Sequence, residues 1–141
     1  MSTEVNKELI RRTFSEVYNQ GNYDAVDEIY DKHFKSYTPP DVFKGSESIK
    51  QYASILRSAF PDLKLTIEDQ IAEGDKVATR FSIAGTHKGE YMSIAPTGKQ
   101  ITGTGITIHR IANGKAVESW DNFDALGMMQ QMGAVSMPGK K

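Results

Sequence analysis

The sequence predicts an α+β domain, with helices packed on one face of a strongly curved antiparallel sheet. Two observations carry that expectation. Apolar residues recur at helical spacing from Val5 to Phe60, and from Leu63 onward they alternate with polar residues at period two. Helices gathered ahead of a run of strands segregate to one side of an antiparallel sheet.

Val5, Leu9, Ile10, Phe14, Val17 and Tyr18 define a first helix over residues 3–20, with Gly21 at its C′ position. A short second helix is read from Tyr23 to Tyr30, with Val26, Ile29 and Tyr30 apolar and Asn22 as its N-cap. Residues 34–38 alternate weakly and stop at Pro39-Pro40, where a strand in a sheet interior cannot continue. Ser46 can cap a third helix whose stripe is Ile49, Tyr52, Ala53, Leu56 and Phe60, ended by Pro61-Asp62. The strands that follow carry Leu63, Leu65 and Ile67, then Val77, Thr79, Phe81 and Ile83. Glu73-Gly74-Asp75-Lys76 and Ala112-Asn113-Gly114-Lys115 read as hairpin turns, and residues 88–99, with Pro96 and Gly98, as a loop. After Phe123 a last short helix turns Met128, Met129 and Met132 inward and closes at Gly133. Strands this long need a bent sheet, and a bent sheet closed by three helices makes a cone whose mouth is a concave small-molecule site.

The 141 residues fit one domain, read as residues 1–135 with a flexible tail over 136–141. Seventeen Lys and Arg against eighteen Asp and Glu give a net charge of -1, and the pI is about 6.3. Such a chain has no field to hold a polyanion or an anionic bilayer, so neither nucleic acid nor membrane is an expected partner. The start, charged from its fourth residue, has no apolar leader, and no apolar run is long enough to span a bilayer, so the expected location is cytoplasmic. Zero Cys removes thiolate nucleophiles, iron–sulfur ligation and Cys-based zinc sites. His33, His87 and His109 do not fall in a metal-binding spacing, and Gly103-Thr104-Gly105 precedes a strand rather than a helix. No Gly-x-Ser-x-Gly elbow is present. The expectation is no metal and no cofactor, with the chemistry left to carboxylates, histidines and hydroxyls.

Several stretches together resemble one family. They are Tyr18-Asn19-Gln20-Gly21-Asn22 with Asp27 after it, Phe60-Pro61-Asp62, Gly85-Thr86-His87-Lys88-Gly89, Pro96-Thr97-Gly98-Lys99, and His109-Arg110-Ile111-Ala112-Asn113-Gly114-Lys115 running into Trp120-Asp121-Asn122-Phe123-Asp124. In order and spacing they are similar to the SnoaL-like polyketide cyclases, or ester cyclases, of the NTF2-like superfamily. The resemblance implies a cone-shaped fold and cofactor-free ring closure by intramolecular aldol condensation, with one buried Asp as acid and base. The matching position is Asp121. A His that usually assists matches Thr107, and Gly105 stands where a polar residue is common.

The candidate catalytic pair is Asp121 and His109. With Asn113-Gly114 in a three-residue turn, Val117, Ser119 and Asp121 share a face with Gly105, Thr107 and His109, whereas a two-residue turn reverses this. His109 lies two residues beyond Thr107, so period-two geometry lets it take the place of the missing His. Phe14, Tyr18, Tyr30, Phe34, Tyr37, Tyr52, Leu56, Phe60, Phe81 and Phe123 are candidates to line the cone, with Gly105 and Thr107 on its floor. His87 is a candidate contact or a loop anchor, and Met92 and Ile94 suit a lid. The expected partner is a small apolar, carbonyl-rich molecule. The reading is a cyclase or isomerase, against a non-catalytic binder of a lipophilic metabolite. A ketosteroid-isomerase-like base would sit where Thr38 precedes Pro39, and an epoxide-hydrolase-like site would need an Asp two residues from Arg80 or Arg110. If Asp121 faces in, Ile106, Ile108 and Trp120 face out, and that apolar stripe is the expected homodimer surface.

Overall fold

The first helix is the long one that the spacing predicts, in two parts. In the computed structural model, which describes residues 2–135, α1 spans Thr3–Arg12 and continues as a wider π-helical stretch over Thr13–Asn19. The tail expected over 136–141 lies outside the described residues. The Ser2 hydroxyl caps α1 by accepting the Val5 N–H. At the far end Arg57 Nη1 donates to the Tyr18 and Asn19 carbonyls at 2.8 and 2.9 Å, satisfying acceptors that the helix end leaves free. Ile10, Phe14 and Val17 are buried, but Val5 is exposed and Asn6 takes the buried place beside it.

A 3₁₀ turn at Tyr23–Ala25 leads into α2, Val26–Ile29, and Asn22 makes no side-chain capping bond there. Tyr30 does not end that helix. It begins β1, Tyr30–Thr38, where it pairs with Ala116. After Pro39-Pro40 the chain returns as β2, Asp41–Lys44, a hairpin strand that the sequence reading missed. All four of its residues are exposed, so no buried alternation marks it. Helix α3, Glu47–Ala59, buries Ala53, Leu56 and Ala59. Ser46 makes no capping bond because its backbone is already helical; Ser48 Oγ instead donates to the Gly45 carbonyl at 2.7 Å.

The remaining strands are β3, Lys64–Glu73, β4, Lys76–Thr86, β5, Gln100–Ala112, and β6, Lys115–Phe123. The six form one open sheet in the order β2-β1-β6-β5-β4-β3. Every neighbouring pair is antiparallel except β1 with β6, which is parallel and so departs from the all-antiparallel expectation. Helix α4, Ala125–Gln131, is capped by Asp124, whose carboxylate accepts the Gly127 N–H at 2.8 Å, and it buries Met128 with Met132 just beyond it. Inner-face glycines let aromatic rings approach the sheet. A Cβ at Gly85 would stand 2.7 Å from Phe60 Cβ, and one at Gly105 would stand 2.5 Å from Phe81 Cζ.

The β5–β6 hairpin decides which face Asp121 takes. Asn113-Gly114 forms a two-residue turn, with both φ angles positive and Ala112 opposite Lys115. Alone it would have reversed the parity. An extra residue, Val117, bulges between the Arg110–Glu118 and Ile111–Ala116 pairs and restores it. Thr107 therefore faces Asp121 and His109 faces Ser119, on the inner side. The inward reading of Asp121 holds, by a bulge and not by the three-residue turn.

Candidate active site

Asp121 is half-buried on the inner face, and four hydroxyls donate to it. Ser36 Oγ, Ser119 Oγ and Thr38 Oγ1 reach Oδ2 at 2.6, 2.7 and 3.3 Å, and Thr107 Oγ1 donates to Oδ1 in a very short contact. Parallel pairing of β1 with β6 supplies two of them, because Ser36 lies opposite Ser119 and Thr38 follows two residues on. A carboxylate offers about four lone-pair sites, two on each oxygen. Oδ2 is crowded with donors, whereas Oδ1 has one. Oδ1 is thus the oxygen left able to accept a proton.

An aromatic wall stands over this floor. Phe14 packs on Phe81 with centroids 5.2 Å apart and on Tyr18 at 6.4 Å; Tyr18 meets Tyr52 edge-on at 6.4 Å, and Tyr52 Oη lies 3.1 Å from Tyr91 Oη. Desolvation raises the Tyr18 and Tyr52 phenols well above their ordinary range, and the charge of Asp121 adds to the rise in both. Yet Tyr52 is 38% exposed. Tyr52 thus stands at the solvent edge of the ring cluster, and Tyr18 and Tyr52 both lie near enough to Asp121 to feel its charge.

His109 lies deeper on the same face, 4% exposed, with Nε2 3.5 Å from Tyr30 Oη. Burial lowers its pKa to about 4, and the Asp121 charge opposes that shift only in part. The ring is therefore neutral near pH 7, a hydrogen-bonding group rather than a cation.

The other predicted contacts divide. Phe14, Tyr18, Tyr52, Phe81, Gly105, Thr107 and Phe123 lie on or against the inner face. Leu56, Phe60 and Phe34 are packed core, sealed within it. Tyr37 points the other way, a correction that the strand period explains: with Ser36 and Thr38 inward, Tyr37 is outward, and it stacks on Trp120 at 5.8 Å. His87 is fully buried at the far end of β4, eight residues beyond the Thr79 that faces Thr107, or about 26 Å along a strand. It anchors the loop, since Thr97 N–H donates to its Nδ1 and its backbone bonds Lys99 and Gly98. Met92 and Ile94, in that loop, are partly buried and pack against the core. Ser36, Thr38 and Ser119 were not singled out as ligands of the carboxylate. The available signal was their period-two spacing.

Arg80 does have a carboxylate partner, Asp69 at 2.6 Å, but the pair is exposed on the outer face and does not approach Asp121. An open cleft of about 420 Å³ lies largely on the outer side, bounded by Arg80, Thr104, Ile106, Asn122 and Asp124 but reached also by Gly105 and Phe123, and none of the four hydroxyls lines it. Among the described residues, no three His, Asp or Glu side chains converge as metal ligands would, and no helix is long and apolar enough to cross a membrane.

Comparison with known proteins identifies the family and the fold. The profile of the SnoaL-like polyketide cyclases matches residues 8–132. Aklanonic acid methyl ester cyclase DnrD of Streptomyces peucetius is 30% identical over 140 residues, covering 94% of this chain and 92% of that protein. TsrD of Streptomyces laurentii superimposes with a TM-score of 0.87 at 27% identity, over 96% of this chain and 99% of that one. A proposed SnoaL-like polyketide cyclase of Jannaschia has the same fold, with a TM-score of 0.87 at 24% identity over 95% of each chain. On its sequence and its fold, the chain belongs to the SnoaL-like polyketide cyclase family.

Proposed function

We propose that the protein is a cofactor-free cyclase acting on a flat, apolar, carbonyl-rich small molecule, with Asp121 as its acid and base. The observation that carries the reading is the inward carboxylate, held by Ser36, Thr38, Ser119 and Thr107 beneath aromatic rings. A C–H between two carbonyls is already acidic, so one positioned carboxylate suffices to move its proton. Asp121 Oδ1 takes that proton, and the enolate carbon attacks a second carbonyl of the same molecule. One C–C bond forms, and the new alkoxide recovers the proton from Asp121. The carboxylate is regenerated and the mass of the substrate is unchanged.

The substrate class is supported by DnrD, a cyclase of aklanonic acid methyl ester. Incubation of purified protein with that ester, followed by chromatography and mass measurement, tests the reading. The expected result is an isomer of unchanged mass, formed at least about a hundredfold more slowly by Asp121→Asn, the scale of general acid–base catalysis. Equal rates for the two proteins would overturn the assignment. The second reading is a non-catalytic binder, favoured by the Thr107 hydroxyl on Oδ1 where a His usually assists in this family. Retention of the ester without turnover is its signature.

Self-association through the outer sheet face belongs to the same proposal. Ile71, Ala78, Ile108, Trp120, Tyr37 and Val42 lie opposite one another in successive strands, a row crossing all six. Ile71 is 71% and Val42 50% exposed at its ends. A second copy related by a two-fold axis would cover this row with its own. A cytoplasmic location completes the reading and suits a chain with no cysteine.

A further inference from the structure

Thr13, Tyr30 and His109 form a buried chain beside the Asp121 floor, each less than 5% exposed. Thr13 Oγ1 donates to Tyr30 Oη at 3.2 Å, and Tyr30 Oη lies 3.5 Å from His109 Nε2. His109 Nδ1 is buried with no partner among the described residues. Burial keeps the phenol protonated and the imidazole neutral at pH 7. A neutral imidazole has one N–H and one lone pair, so counting bonds separates its two tautomers.

With the proton on Nε2, that N–H would donate to the Tyr30 oxygen. Both the phenol hydrogen and the Nδ1 lone pair would then be left unpaired. With the proton on Nδ1, the phenol donates to Nε2 and only the Nδ1–H is unpaired. Each unpaired buried group is costly, so the second arrangement prevails. Its one free group is a buried donor, carried by a residue of the Asp121 face, since His109 lies opposite Ser119 and Ser119 Oγ bonds Asp121 at 2.7 Å.

We propose that Thr13 and Tyr30 are positioning residues that hold His109 as the Nδ1–H tautomer, keeping that N–H as the donor to the enolate oxygen of a substrate over Asp121. Removing a proton from carbon places negative charge on the neighbouring carbonyl oxygen, where a fixed donor acts most strongly. A neutral imidazole serves there without giving up its proton. The donor role rests on the acid–base reading of Asp121, whereas the tautomer assignment does not.

Protein labelled with ¹⁵N at histidine tests both parts, and with three histidines in the chain the spectrum is simple. At neutral pH the wild type is expected to show His109 protonated at Nδ1, with Nε2 as a hydrogen-bonded acceptor. Tyr30→Phe should lower the ratio of Nδ1–H to Nε2–H about tenfold, the worth of one hydrogen bond. Thr13→Val should shift it in the same direction and Thr13→Ser restore it, with the His33 and His87 signals unchanged as controls of the fold. An Nε2–H tautomer in the wild type, or a ratio unmoved in Tyr30→Phe, would overturn the positioning role. For the donor role the probe is 4-hydroxycoumarin, a flat enolised dicarbonyl, which should shift the His109 Nδ1 proton saturably. Binding that leaves this proton unmoved, or no binding at millimolar probe, would overturn it. Equal cyclisation by wild type and Asp121→Asn refutes the Asp121 assignment instead and leaves the tautomer standing.

Discussion

Lowering the pH below 6.5 should destabilise this protein through His109 by an amount that one substitution removes. The imidazole has a pKa of about 4 when buried, against an ordinary 6.5. Between those values the unfolded chain takes up a proton that the folded chain refuses, so stability falls as pH falls and levels off below about 4. At about 1.4 kcal/mol for each pH unit, the gap amounts to about 3–4 kcal/mol. Asp121 is the charge on the same inner face that works against the shift; Tyr30, packed on the ring, stays neutral throughout. Urea denaturation of the wild type and His109→Leu across this range is the assay. The variant's absolute stability is immaterial, because the quantity read is the difference in slope, which also cancels the depressed carboxylates Glu4, Glu16 and Asp62. The wild-type curve should fall by about 3–4 kcal/mol more than the variant's. Parallel curves would refute the burial of a neutral imidazole.

Two further outcomes follow from packing. Gly89→Ala should lower the melting temperature, at a cost of about 1–3 kcal/mol, because its Cβ would come 2.4 Å from the Ser58 carbonyl oxygen and backbone would have to move; differential scanning calorimetry checks it, and an unchanged melting temperature would contradict the close approach. Trp120→Glu should give a monomer in sedimentation while Asp121→Asn remains a dimer, and a monomeric wild type at micromolar concentration would refute the outer-face interface.

The motifs that carried the resemblance turn out to serve mostly architecture. Asn19 brackets edge strand β3, with Nδ2 donating to the Leu65 carbonyl and Oδ1 accepting the Leu65 N–H. Asp62 accepts both the N–H and the hydroxyl of Thr86, so the segment ending α3 and the end of β4 are tied together. Thr97 holds His87. These are local pairings of polar groups that period and spacing cannot reveal, although the stretches were legible as stretches. Helix and strand periods gave the elements because burial imposes them, and they failed at β2, where nothing is buried, and at Val5. The inward face of Asp121 was legible only with a one-residue ambiguity at the hairpin. The bulge at Val117 that resolves it leaves no mark in composition or alternation. Tyr37 was misplaced because an aromatic residue in a strand was read without the parity of its neighbours Ser36 and Thr38, and those two hydroxyls became visible only once β1 paired with β6 in parallel.

The most direct measurement is a crystal structure of the protein with aklanonic acid methyl ester, or its cyclised product, bound to Asp121→Asn. The account places the molecule on the inner face, against Tyr18 and Tyr52, with the reacting carbon within hydrogen-bonding reach of the Oδ1 position of residue 121. A molecule seated instead in the outer cleft at Arg80 and Ile106, with residue 121 still ringed by its four hydroxyls and touching nothing else, would contradict it.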